Sequence, residues 1–137
     1  MSIRTPFIAT DGIIKLFDEN DVFKGIVLIE RKNEPKGLAL PGGFVEVGET
    51  VENALIREMK EETNLDVDII KLHGVYSKPD RDPRFHVVSV VFVCKAYGVP
   101  KAQSDAKEVK VYKLEEIPFE KLVFDHRDII WDYIKKG

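Results

Sequence analysis

Residues 43 to 65, "GFVEVGETVENALIREMKEETNL", combine a Gly-rich entry, a helix start and three carboxylates crowded at a helix end. Thr50 is a suitable N-cap, and Glu49 and Glu52 suit the positive end of the helix dipole. The spacing predicts a helix from Thr50 to Thr63, with Val51, Ala54, Leu55 and Met59 on its core side. Glu58, Glu61 and Glu62 are neighbours on that helix surface. Acids are unfavourable at a helix C-terminus, so their presence there needs a cause. By the helical angle all three are expected to point inward with the apolar stripe. A solvated charged face would instead set its acids opposite that stripe, with lysines interspersed. Inward carboxylates raise one another's pKa values unless a cation neutralises them. Hard oxygen ligands of this kind suit Mg²⁺ or Mn²⁺.

Working outward, "FIATDGIIKLF" and "FKGIVLIERK" read as strands joined by a polar turn, and "GLAL" as a short extended piece leading into "PGGFVEVGE". Beyond the helix, "VDIIKLHGVYS", "HVVSVVFVCKAY" and "KEVKVYKL" read as further strands. "FDHRDIIWDYIKK" reads as a closing helix with lysines in its last turn. Strands outnumber helices, and several neighbours are placed to form hairpins. The expected fold class is therefore α/β, a mixed sheet covered by helices, in one domain over residues 1–137. The length of 137 residues suits a single core.

Apolar residues make up 44% and charged residues 33%, as in a globular and not a disordered protein. The net charge of −3 argues against a nucleic-acid polymer as partner, because phosphate contacts need a basic surface. Small phosphorylated ligands need only a local group of arginines. The single cysteine, Cys94, reads as a buried hydrophobe and excludes a disulfide within the chain. No run approaches the roughly 18 apolar residues of a membrane span, so no membrane partner is expected and a cytoplasmic location is.

The segment from Gly43 to Leu65 resembles the Nudix box, the signature of the Nudix hydrolases. Gly43, Glu49, Arg57, Glu58, Met59, Glu61, Glu62 and Leu65 match it in register. One position departs: Asn64 stands where the box has its final glycine. A left-handed cap is expected there, and Asn is the residue that best replaces Gly in that conformation.

The resemblance implies an α/β/α sandwich and metal-dependent cleavage of a nucleoside diphosphate linked to another moiety. Carried over by position, Glu58 and Glu62 are the principal metal ligands, Glu61 is a further ligand or a base, and the Gly42 carbonyl completes the coordination. Arg57 and Glu49 are orienters that pair with each other. A further carboxylate is sought downstream, first at Glu108 and then at Asp105, leaving the base open among Glu61, Glu108 and Asp105. Proteins of this kind are often a homodimer, although no segment here marks an interface.

Residues 76 to 92, "YSKPDRDPRFHVVSVVF", are similar to a stretch of the ADP-ribose pyrophosphatase-like branch. On that reading Arg81 and Arg84 grip phosphate or ribose oxygens. The plainer alternative is a polar hairpin loop with two solvated arginines. Phe7, Phe44 and Tyr112 are candidates to stack on adenine, or else core residues. His86 is expected to be a strand residue with a satisfied ring. "FDH" at 124–126 also resembles that branch, and Asp125 as a helix cap explains it equally well. ADP-ribose hydrolysis leads. A MutT-like nucleoside triphosphate pyrophosphohydrolase is the alternative, followed by a ligand sensor, which is disfavoured because every box acid is present.

Overall fold

The structure is a computed structural model and describes residues 2–136. Its strands are β1 (Phe7–Phe17), β2 (Phe23–Arg31), β3 (Leu38–Ala39), β4 (Gly42–Phe44), β5 (Asp68–Tyr76), β6 (Val87–Tyr97) and β7 (Ala106–Tyr112). Its helices are α1 (Val51–Thr63) and α2 (His126–Lys136). The main path of the sheet runs β3-β2-β1-β6-β5, with β4 also pairing β1 and β7 also pairing β2. β1 and β6 run parallel in unbroken register from Phe7 opposite Val87 to Phe17 opposite Tyr97. The other pairings are antiparallel, so the sheet is mixed as expected.

β1 shows why both sheet faces need cover. Successive strand residues point to opposite faces. Ile14 packs with Leu55, Met59, Phe92 and Cys94 against α1. Ile13 packs with Leu28, Val91, Ile129 and Ile130 against α2. The two helices therefore flank one sheet, and the α/β/α sandwich follows from this double burial. Cys94 is fully buried, and burial pushes its thiol up to about 12.

The ends of α1 match their sequence signals. The Thr50 hydroxyl accepts from the Asn53 N–H at 3.0 Å. Asn64 takes φ 60° and ψ 20°, and its N–H donates to the Lys60 carbonyl at 3.0 Å. A left-handed conformation is thus needed where the box has glycine. The last turn of α1 is delivered beside β4, and β4 is tied to β1 by Asp11 opposite Gly42 and Thr10 opposite Gly43.

Candidate active site

The inward face of α1 divides its acids. Ala54, Leu55, Met59, Glu62 and Thr63 are buried. Glu62 is 4% exposed, and its Oε1 accepts from the Gly42 N–H at 2.8 Å. The Glu58 side chain is 13% exposed and lies so close to Gly43 that any Cβ there would collide with the carboxylate. Glycine at position 43 therefore lets the Glu58 carboxylate sit where it does, and a side chain there would push that carboxylate aside. Glu61 corrects the expectation that all three acids point inward, because its side chain is 47% exposed. At 100° per residue it stands about 120° from Leu55, at the edge of the buried face.

Arg57 holds this end of the helix. Its Nε and Nη2 donate to Glu49 at 2.7 and 2.8 Å, a bidentate pair. Nη1 donates to Glu58 at 2.8 Å and to Glu61 at 3.2 Å, and Nη2 also donates to the Phe44 carbonyl at 3.1 Å. The guanidinium bonds hold the Glu49 carboxyl down at about 2. Burial drives the inward acids the other way. Glu58 is raised by burial against the pull of Arg57. Glu62 is raised to about 8, by burial first and then by Glu58 and Asp11.

Glu58 and Glu62 line a cleft of about 320 Å³, together with Gly42, Gly43, Asp11 and Asp105. Arg31, Arg84, Phe44 and Phe124 line the same cleft. Phe124 sits at φ 57°, which is unusual for a bulky residue, and its ring is in reach of two guanidiniums. The Arg31 carbon is 5.0 Å from its centroid and that of Arg84 is 5.6 Å. Arg31 is fixed by donating Nε–H to the Pro35 carbonyl at 2.8 Å, and burial followed by the Arg84 charge pushes its pKa down. A cleft lined by carboxylates, guanidiniums and aromatic rings suits a ligand that carries phosphates and a planar base.

The proposed substrate loop is built differently from its sequence reading. Arg81 is 8% exposed and forms a bidentate pair with Asp125, Nε to Oδ2 at 2.9 Å and Nη2 to Oδ1 at 2.6 Å. It lines the cleft, but two of its donor groups are engaged in bracing the loop onto the start of α2. Asp125 accordingly spends its carboxylate on Arg81, while its backbone carbonyl accepts from Asp128 and Ile129. Asp125 thus stands at the head of α2 as a cap residue is expected to, but its side chain serves Arg81 and not the helix N–H groups. Arg84 is likewise paired bidentately, Nε and Nη2 to Asp82 at 3.0 and 2.8 Å, but its side chain is 37% exposed and reaches the cleft, 5.9 and 5.3 Å from the Phe44 and Phe85 ring centroids.

Phe7 lies outside this cleft, on a shallower groove with Arg4, Phe85 and His86. Its ring still meets Phe85 at 4.8 Å and Phe44 at 5.8 Å, giving a partly exposed aromatic cluster at the cleft's edge. Tyr112 is set aside as a stacking residue, since it packs against the α2-side core. His86 has a satisfied ring, with Nε2 donating to the Ser77 carbonyl at 3.0 Å. Glu108 does not reach the cleft. It is half exposed on β7 and pairs with Lys110 at 3.6 Å, whereas Asp105 lines the cleft with Glu58 and Glu62. The downstream acid in position is thus Asp105, because alternation along β7 turns Glu108 away.

Sequence reasoning passed over Arg31 and Asp11, and noted "FDH" at 124–126 without placing Phe124 or His126 in the site. Asp11 did leave a signal, being a carboxylate in the middle of an apolar strand. Arg31 ends β2 and Phe124 and His126 lie at the entry to α2, and no local pattern joins these two segments.

The NUDIX domain model matches residues 6–133. The chain belongs to the Nudix hydrolase family. It is 53% identical over 133 residues to an ADP-ribose pyrophosphatase of Methanocaldococcus jannaschii, covering 95% of this chain and 74% of that protein. It is also 34% identical to a MutT-like protein of Streptomyces ambofaciens, over 68% of this chain and 58% of that one. Among solved structures, a MutT/nudix family protein from Enterococcus faecalis superposes with TM-score 0.84 at 30% identity, covering 99% of this chain and 63% of that chain. A bifunctional NMN adenylyltransferase/ADP ribose pyrophosphatase from Francisella tularensis, complexed with AMP and a Mn ion, superposes with TM-score 0.80 at 28% identity, over 99% of this chain and 43% of that one.

Nudix hydrolases use divalent metals, and the donors here fit one. Among the described residues no three His, Cys, Asp or Glu side chains already converge on a metal position. Glu58 and Glu61 are drawn to Arg57, and Glu62 is drawn to Gly42. Yet Glu62 is a buried carboxylate whose charge is disfavoured by every acid around it, and a hard divalent cation is the partner that relieves this.

Proposed function

We propose that this Nudix hydrolase cleaves the diphosphate bridge of ADP-ribose with water, giving AMP and ribose 5-phosphate. The observation that carries the reading is one cleft lined by Glu58 and Glu62 together with Arg31, Arg84 and Phe124. The relative from Methanocaldococcus jannaschii supports the choice of ADP-ribose. Glu58 and Glu62, with the Gly42 carbonyl, are the residues that would hold Mg²⁺ or Mn²⁺. When bound, the cation supplies charge neutralisation on the diphosphate oxygens and a more acidic water. Arg31 and Arg84 orient the diphosphate, and Phe44 and Phe85 offer faces for the adenine. Asp105 is the acid placed to take the proton of the attacking water, with Glu61 at the rim as the other candidate. Arg57 and Glu49 hold the helix end and do not react.

The test is incubation with Mg²⁺ and a panel of ADP-ribose, NADH, diadenosine polyphosphates and nucleoside triphosphates, with products separated by chromatography. AMP and ribose 5-phosphate from ADP-ribose, in preference to the rest, is the expected result. Preference for a triphosphate cleaved to monophosphate and pyrophosphate would replace this reading with the MutT-like one. Arg31→Gln should raise KM for ADP-ribose by about tenfold, the loss of one charge-assisted contact.

A further inference from the structure

His126, the first residue of α2, is 3% exposed and lies far in sequence from the box, yet it lines the cleft. The Leu40 N–H donates to its Nδ1 at 2.9 Å. A ring nitrogen that accepts carries no proton, so the proton of the neutral imidazole is on Nε2. Nε2 faces Asp11 Oδ2 at 3.9 Å, beyond a direct hydrogen bond but close enough for the two dipoles to orient each other. The same Asp11 oxygen accepts from the Ser89 hydroxyl at 2.5 Å, and the other packs against Gly42 so tightly that any Cβ there would collide with it. The Gly12 N–H donates to the Pro41 carbonyl at 3.0 Å. Residues 40 to 42 are thus clamped from β1 by Gly12 and Asp11 and from α2 by His126. What the clamp presents is the Gly42 N–H, donated to Glu62.

We propose that His126 is a positioning residue that, by accepting from Leu40 and facing Asp11, aims the Gly42 N–H at Glu62 and so sets that carboxylate for divalent-cation binding. This rests on the assignment of Glu62 as a metal ligand but not on the identity of the substrate. The imidazole never touches the reacting atoms in this role. Its importance lies in the acceptor at Nδ1, because the Leu40 N–H leads directly into the Gly-rich strand.

Two substitutions separate the acceptor from simple packing. In His126→Asn the amide oxygen reaches the place of Nδ1 and keeps the acceptor. In His126→Gln the longer side chain reaches toward Asp11 but leaves the Leu40 N–H without its partner. Mn²⁺ affinity is read from the free-ion electron paramagnetic resonance signal, and amide exchange at Leu40 and Gly42 is read in EDTA. His126→Gln should weaken Mn²⁺ binding by about 10- to 100-fold, the usual cost of removing an outer-sphere partner. It should also speed exchange at both amides, and kcat should fall with KM for ADP-ribose little changed. His126→Asn should stay within about threefold of wild type in Mn²⁺ affinity.

Equal impairment of the two variants, or Mn²⁺ affinity unchanged in His126→Gln, would overturn the proposal. If His126→Gln does not fold, Ser89→Ala loosens the same Asp11 from the other side, and unchanged Mn²⁺ affinity there would overturn it as well. Wild-type protein that binds Mn²⁺ but leaves ADP-ribose intact would defeat the substrate reading alone. The amide-exchange and Mn²⁺ comparisons would still decide the role of His126.

Discussion

Glu62→Gln should make the metal-free protein more stable while abolishing its function. The Glu62 carboxyl is raised to about 8 from an ordinary 4.5, chiefly by burial and then by Glu58 and Asp11. Between those two pH values the folded protein keeps a proton that the unfolded chain has released. Stability therefore falls as pH rises through that window. At 1.36 kcal/mol per pH unit the loss has a ceiling of about 4 kcal/mol at pH 8. Local relaxation around a buried carboxylate lowers the expected loss to about 2 kcal/mol. Glutamine keeps an oxygen for the Gly42 N–H and carries no charge, so it removes the pH term and leaves the hydrogen bond. Urea denaturation in EDTA at pH 5, 6.5 and 8 measures the difference between the two proteins. It should be under about 1 kcal/mol at pH 5 and reach about 2 kcal/mol in favour of Glu62→Gln at pH 8. Adding Mg²⁺ at pH 8 should stabilise wild type and leave the variant nearly unmoved. Parallel pH profiles for the two proteins would refute the claim that Glu62 is the strained group.

Arg81→Ala leaves the partly buried Asp125 without its bidentate partner and should cost about 3 kcal/mol by urea denaturation. Arg81→Lys should recover little of this, since a single ammonium cannot replace the fork. Asp105→Asn should lower kcat for ADP-ribose by about 100-fold, as the loss of a base would, while Glu108→Gln should change it by less than about twofold. A larger loss in Glu108→Gln than in Asp105→Asn would reverse that assignment. Asn64→Ala should cost about 1 kcal/mol and Asn64→Gly should be neutral or slightly stabilising, both by thermal melting, because the position holds φ 60°.

The metal helix was readable because its information is local. Thr50, Asn64 and the apolar stripe each act within a few residues of themselves, and a 3.6-residue period projects them onto known faces. The same period misplaced Glu61, which sits at the margin between buried and exposed, where about 20° of helix rotation decides. The strands were readable for a similar reason, as the alternation and β-branching in β1 and β6 declare them.

The far side of the cleft was not readable, because it depends on which strands become neighbours. The parallel pairing of β1 with β6 and the antiparallel return of β4 bring Asp11, Ser89 and Gly42 together across 78 residues of sequence. The charge pattern of "KPDRDPR" was visible, but not that Asp125 would hold Arg81 buried while Asp82 holds Arg84 partly exposed at the cleft. Sequence by itself determined the helix, its caps, the strands and the acids that a cation needs, since short-range sterics and periodicity govern all of these. Only the tertiary structure decided which arginines share a cleft with those acids, which downstream carboxylate joins them and that His126 accepts from Leu40. Long-range pairing brings these groups within a few ångströms, and each charge then takes the partner that burial leaves it.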